Sequence, residues 1–229
     1  NRFEYIVCPT EETKNYLKKQ KIFKDHKLIY IPDPIIQIKK INFLKREPLD
    51  FKKSKPYFLS VGRFTRQKNH IFLLNFFSKN LDYLNKHELL IIGEGEMKKK
   101  YEQIIIDKKL GGKIKILDYK KNVINYINHA KCIISSSLWE DPGFIMVEAA
   151  SVGTPIITSN CPSGPKEFID NNRNGFIYNS NDEESFKSEL DDFLNISNVE
   201  LFKKLKSAKK KCKLYSSYYN YKKLSYLLA

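Results

Sequence analysis

The sequence predicts an α/β protein built on a parallel β-sheet with helices on both faces, and three observations predict it. Short runs rich in β-branched and aliphatic residues recur from residue 57 onward: YFLSV (57–61), ELLII (88–92), KIKIL (113–117), KCIIS (131–135) and PIITS (155–159). They are almost continuously apolar, as expected of strands covered on both faces. Segments with helical spacing follow them at 68–79, 96–109, 121–130, 144–152 and 164–171. That alternation is the rhythm of a doubly wound, Rossmann-like lobe.

Upstream, YIVCP and KLIYIPDP read as two further strands flanking a helix at 11–20, followed by a Pro- and Lys-containing connection to about residue 55. The stretch is too short for a second full domain. It is expected to be the tail of a domain whose body is missing, so the chain divides into residues 1–50, a lobe at 51–198 and a tail at 199–229. The tail keeps Leu201, Leu205, Ala208 and Cys212 at helical spacing, while nine lysines from 203 to 223 occupy other positions without an acid among them. Such a helix either docks on the core with its lysines in water or lies on anionic lipid; docking is the favoured alternative.

With 229 residues and 41% hydrophobic content, the chain can bury a real core, which argues against disorder. No run of 18 apolar residues occurs, and the first twenty residues lack the layout of a signal peptide, so a cytoplasmic protein is expected. Cys8, Cys132, Cys161 and Cys212 show no metal-site spacing and should be reduced thiols. A net charge of +15 suits phosphorylated ligands, polyanions or acidic headgroups. His26, His70, His87 and His129 lie near no recognisable nucleophile and are expected to be structural.

Ligands of open parallel sheets bind beyond the carboxyl ends of the strands, so the loops there carry the chemistry. After YFLSV comes GRFTRQKNH, where Gly62 permits a tight turn and Arg63 and Lys68 bracket a helix start, an arrangement that favours phosphate. The alternative is a turn with ordinary surface bases. After ELLII comes GEGEMKK, a weak dinucleotide signal, because Lys98 stands where a third glycine is needed and Glu94 and Glu96 would repel a pyrophosphate. After KCIISS comes SLWEDPGFIMVEAASVGTP. Asp141 fits a helix cap and Pro142 a first turn, which puts Glu140 in the loop and Glu148 inside an almost wholly apolar helix. A buried carboxylate needs donors, and sugar or ribose hydroxyls would serve, with the free amides at 143–145 turned toward a phosphate. From spacing alone, a loop charge and a partly exposed helix charge remain equally good readings.

Taken in order, SVGRFTRQKNH, LLIIGEGEM, SSSLWEDPGFIMVEAASVGTPII, GPKEFI and NGFIY resemble the retaining nucleotide-sugar glycosyltransferases of family 4 (group 1), which have the GT-B fold. The resemblance covers about residues 57–180, and Glu140 and Glu148 meet its Glu, seven residues, Glu pattern. It implies that Glu140 contacts the donor sugar and Glu148 the ribose. Arg63 and Lys68, with the amides of Gly143, Phe144 and Ile145, would hold the diphosphate, and Gly62 and Tyr119 would complete the nucleotide site. It further implies a UDP-sugar donor, no metal or other cofactor, and a glycan or lipid-linked acceptor of bacterial surface polysaccharide synthesis at an anionic inner membrane face. Nucleic acid is not an expected partner. Two departures stand out: Asp118-Tyr119 replaces the glycine common after the third strand, and the acceptor-side lobe is present only as residues 1–50. A sugar-nucleotide epimerase of related fold and a non-enzymatic polyanion-binding module are the competing classes.

Overall fold

In a computed structural model of the chain, residues 3–23, 27–51 and 54–228 are described. Two parallel sheets are present. The smaller pairs β1 (Tyr5–Cys8) with β2 (Lys27–Tyr30) around helix α1 (Glu11–Gln20). The larger holds six strands: β3 (Tyr57–Val61), β4 (Glu88–Ile92), β5 (Ile114–Leu117), β6 (Cys132–Ser135), β7 (Ile156–Ser159) and β8 (Phe176–Tyr178), in the spatial order β5-β4-β3-β6-β7-β8. Every pair within it is parallel. The expected α/β fold with helices on both faces is therefore the one observed.

Alternation along each strand assigns side chains to two apolar layers. Phe58, Leu89, Ile91, Cys132, Ile134 and Ile157 face the layer built with α3 (His70–Lys79), α5 (Lys98–Asp107) and α9 (Glu183–Asn195), where Phe72, Phe76, Phe77, Tyr101 and Phe186 pack. Tyr57, Leu59, Leu90, Ile92, Ile133 and Ile156 face the opposite layer, formed with α6 (Ile124–His129), α7 (Phe144–Val152) and α8 (Pro165–Ile169). The strands tolerate apolar residues at consecutive positions because both faces are covered.

Several boundaries contract relative to the sequence expectation. The helix expected from 68 begins at His70, because Asn69 adopts the left-handed conformation, φ 50°, which cannot continue a right-handed helix. The connection expected after KLIYIPDP, up to about residue 55, contains a short helix, α2 (Ile38–Leu44), and Ile36 forms a bridge with Ser216 of the tail. Three elements go beyond the expectation: α4 (Asp82–Lys86), β8 and α9. The last carries Phe186, Leu190 and Phe193 on one buried face and is capped by Asp182, whose side chain accepts from the Ser185 amide.

The tail forms α10 (Asn198–Cys212), a short 3₁₀ turn (Lys213–Tyr215) and α11 (Ser217–Leu228). Ser197 caps α10, and Ala208 and Cys212 are buried in the same layer as α7, so the docking alternative is the one seen. Cys8, Cys132, Cys161 and Cys212 are free and buried, as the thiol reading expects. Ala208 has no room for a charge. Ala208→Glu should cost about 3 kcal/mol or more in urea denaturation, while Lys210→Glu on the exposed face should stay within about 0.5 kcal/mol of wild type.

Candidate functional site at the switch in strand order

The chain moves outward from β3 through β4 to β5, then returns to place β6 on the other side of β3. The crevice beyond the carboxyl ends of β3 and β6 is therefore the topological switch point of the sheet, where ligands of such folds bind. It is framed by residues 62–69, after β3, and 136–143, after β6.

Lys68 and Glu140 meet across that crevice, with Nζ 2.5 Å from Oε1. Both are largely withdrawn from water, at 17% and 8% exposure. The Ser137 hydroxyl donates to the same Oε1 at 2.5 Å. A carboxylate this buried is costly unless donors surround it, and Lys68 and Ser137 supply them. Gly62 gives the lysine its path: a Cβ there would lie 3.0 Å from both Cγ and Cδ of Lys68. The loop is also tied through its backbone, since the Glu140 amide donates to the Pro162 carbonyl at 2.6 Å and the Ser163 amide donates to the Glu140 carbonyl at 2.7 Å. Gly164, at φ 96°, is required where this second loop passes Pro142, because a Cβ would sit 2.2 Å from the Pro142 carbonyl oxygen.

Helix α7 starts at Phe144, as the sequence predicts, but its cap differs. Gly143 occupies the cap position at φ 87°, a conformation suited to glycine. Asp141 is not the cap. The Asp141-Pro142 bond is cis, and the Asp141 carboxylate is turned toward α1, where it accepts from Thr13 Oγ1 at 3.1 Å and lies 3.4 Å from Thr10 Oγ1. With no side chain at the cap, the amides of Gly143, Phe144 and Ile145 have no acceptor among the described residues and remain available to an anion.

Glu148 lies in the second turn of α7, half-buried, and its carboxylate has no hydrogen-bond or ion-pair partner among the described residues. Desolvation alone raises its pKa from 4.5 to about 7. The contrast with Glu140 is chemical as well as positional: one carboxylate is held by a cation and a hydroxyl, while the other lacks donors.

Arg63 is exposed and reaches Gln67, donating from Nη2 at 3.3 Å; Gln67 in turn donates to the Trp139 carbonyl at 2.8 Å. Tyr119, 64% exposed, lines a cavity of 290 Å³ together with Gly62, Arg63, Gly93, Glu94 and Lys120. This cavity lies beyond β3, β4 and β5. Its floor is shaped by a close approach of two loops: the Phe64 amide donates to the Glu94 carbonyl at 2.7 Å, and a Cβ on Gly93 would lie 1.9 Å from the Gly62 carbonyl oxygen. The GEG segment thus packs against the GRF turn, which explains glycines there without a dinucleotide motif. Asp118 is engaged by Lys98 at 2.5 Å.

Sequence reasoning missed Ser137, Gln67, the Pro162–Ser163 backbone clamp and the two threonines of α1. The triple serine before Trp139 was the available signal, since small hydroxyls at a strand's carboxyl end next to a glutamate are natural donors. Of the histidines, His70 is fully enclosed between Phe64 and Tyr101, and burial lowers its pKa to about 3, in keeping with a structural role. His26 lies outside the described residues.

The sequence model of the family described as Glycosyl transferases group 1 matches residues 42–212, which include the switch-point loops and the docked α10. The chain belongs to that family. An uncharacterized group relative, a glycosyltransferase of Methanocaldococcus jannaschii, is 29% identical over 171 residues, covering 72% of this chain and 42% of its own. A UDP-Gal:α-D-GlcNAc-diphosphoundecaprenol α-1,3-galactosyltransferase of Escherichia coli is 28% identical over 200 residues, covering 81% of this chain and 50% of its own. Among solved structures, S. aureus TarM in complex with fondaparinux, α-GlcNAc-glycerol and UDP superposes with a TM-score of 0.81 at 20% identity, covering 99% of this chain and 44% of that one. These neighbours bear out the GT-B fold for this group 1 chain. The chain spans about half the length of the curated relatives it matches.

Two outcomes test the site's energetics. Because the folded pKa of Glu148 exceeds its unfolded value, the folded state binds the extra proton, and stability is lost as pH rises from 4.5 through about 7. Glu148→Gln should therefore raise the melting temperature of the free chain by several degrees at pH 8, on the order of 2 kcal/mol, with the gain gone below about pH 4.5. Lys68→Met should cost about 3 kcal/mol by stranding Glu140, and adding Glu140→Gln should recover most of it in a double-mutant cycle followed by urea denaturation.

Proposed function

We propose that the chain is the donor-binding part of a retaining glycosyltransferase that moves a sugar from UDP-sugar to a glycan or lipid-linked acceptor. The acceptor belongs to bacterial surface polysaccharide synthesis. One observation carries the reading: a cation-held carboxylate, three open amides and a partnerless carboxylate follow one another along the chain from Glu140, paired with Lys68, to Glu148 in the second turn of α7. That sequence complements a sugar, a diphosphate and a ribose. Similarity to enzymes such as the galactosyltransferase of E. coli supports the class.

In this reading, Glu140, fixed by Lys68 and Ser137, accepts from donor-sugar hydroxyls. Breaking the bond between the anomeric carbon and the phosphate oxygen leaves negative charge on the diphosphate. Arg63, Lys68 and the amides of Gly143, Phe144 and Ile145 stabilise that charge without reorganising, which lowers the barrier. Their positive charge does the work a divalent cation would otherwise do, so the step needs no metal or other cofactor. Glu148 accepts from the ribose hydroxyls, and the nucleobase enters the cavity beside Tyr119. Residues 1–50 contribute to the acceptor side of the cleft. The protein works in the cytoplasm at the inner membrane face.

The expected result is stabilisation by UDP and UDP-sugars in EDTA, about 2.7 kcal/mol at a hundredfold excess over Kd. Glu148→Gln should weaken binding about tenfold or more. No thermal shift with any nucleoside diphosphate or nucleotide sugar would overturn the reading. Because the ionised carboxylate of Glu148 is the stronger acceptor for the ribose hydroxyls, affinity for a UDP-sugar, whose diphosphate diester does not titrate near neutrality, should fall as pH drops below about 7 and level off about tenfold lower, at the affinity of Glu148→Gln. In Glu148→Gln that pH dependence should vanish, as titration calorimetry would show.

A further inference from the structure

At the opposite end of α7 from Gly143 lies a second cavity, of 590 Å³, enclosed by α2, the end of α10, the 3₁₀ turn and α11. Its floor is made by the buried Ile36, Ile41 and Cys212, and Ile38 and Tyr218 stand at its mouth, 61% and 75% exposed. Lys209 and Lys213 line the same cavity. Neither ammonium has an ion-pair partner among the described residues, and no acidic side chain lines the space. The volume is that of a small-molecule site.

Chemistry narrows the occupant. A nucleotide or a sugar would leave most of its polar groups unpaired against Ile36, Ile41 and Cys212, which is expensive. An anion carrying a hydrocarbon chain satisfies both parts: the chain covers the apolar floor, and the charge rests on two free lysines. The two helices beside it have the same character, since α2 also carries the exposed Phe43, Lys39 and Lys40 and α11 the exposed Tyr221. Aromatic rings and lysines side by side suit the headgroup level of a membrane, and one acyl chain holds a protein there stably only when cations assist.

We propose that this cavity binds an acidic phospholipid of a membrane surface, with one acyl chain against Ile36, Ile41 and Cys212 and the headgroup phosphate on Lys209 and Lys213. The site deepens the membrane-facing part of the proposed function and rests on that reading for the membrane's presence. None of the residues lining the cavity belongs to the donor crevice.

Flotation of the chain with vesicles tests it. The protein should rise with vesicles containing phosphatidylglycerol and stay behind with pure phosphatidylcholine. The double variant K209E/K213E should reduce the floated fraction at least fivefold while keeping the wild-type thermal shift with UDP. To locate the chain, Tyr218→Trp in a Trp139→Phe background should lose fluorescence on vesicles of phosphatidylglycerol brominated in its acyl chains. Undiminished flotation of K209E/K213E would overturn the proposal, as would binding without quenching, which means surface attraction alone. A dimer in light scattering that Ile38→Asp dissociates, with no flotation, would also overturn it by giving the groove to a second copy. Failure of the donor reading would instead show as a missing UDP shift in the wild type, whatever the vesicles do.

Discussion

The ion pair between Lys68 and Glu140 is the contact on which the geometry of the crevice depends. It joins the two halves of the sheet where the strand order reverses, and each partner is otherwise a charge too poorly hydrated to persist alone. The loop after β6 carries Glu140 and is held to the loop after β7 through Pro162 and Ser163. The Ser136 hydroxyl adds a further tie by donating to the carbonyls of Lys68 and Asn69, each at 3.0 Å. Three loops are thereby fixed in one arrangement, and the start of α7 is delivered with its amides unobstructed.

Helix α7 shows where stability is given up. Glu148 sits in a helix selected for burial, with Met146, Val147, Ala149 and Ala150 around it, and no donor reaches its carboxylate. An isoleucine or glutamine would fold better there. In the proposed function that cost has a use, because donors supplied by the protein itself would have to be displaced by the ligand. Glu140 and Glu148 thus differ in kind: one is oriented by Lys68 and Ser137, and the other has no partner among the described residues.

The crevice also reaches into the N-terminal segment. Asp141, beside Glu140, accepts from Thr13, and Glu167 at the start of α8 accepts from the Glu11 amide at 2.9 Å. Both loops that hold Glu140 therefore also hold the first turn of α1. The small sheet of β1 and β2 has only two parallel strands, with Val7 half exposed, a marginal arrangement without such anchors. The placement of that segment and of the loop bearing Glu140 thus share hydrogen bonds.

Local pattern determined much of this protein by itself. The consecutive apolar residues of ELLII and PIITS declare strands covered on both faces, and the helix from 144 to 152 ends where expected because Gly153 follows it in a left-handed conformation. The separation of Glu140 and Glu148 by a loop and about one helical turn was also legible, because it depends only on chain spacing. Tertiary structure alone decided the roles. Asp141 reads as a helix cap until α1 arrives to claim its carboxylate, and Lys68 reads as a free cation until the return of the chain through β6 sets Glu140 against it. Hydrogen-bond and charge partners separated by 128 and 72 residues leave no trace in local periodicity, since the backbone pattern is the same whichever partner is met. The sequence determined which groups stand at the sheet edge, and only the fold decided which of them are paired and which are left for a ligand.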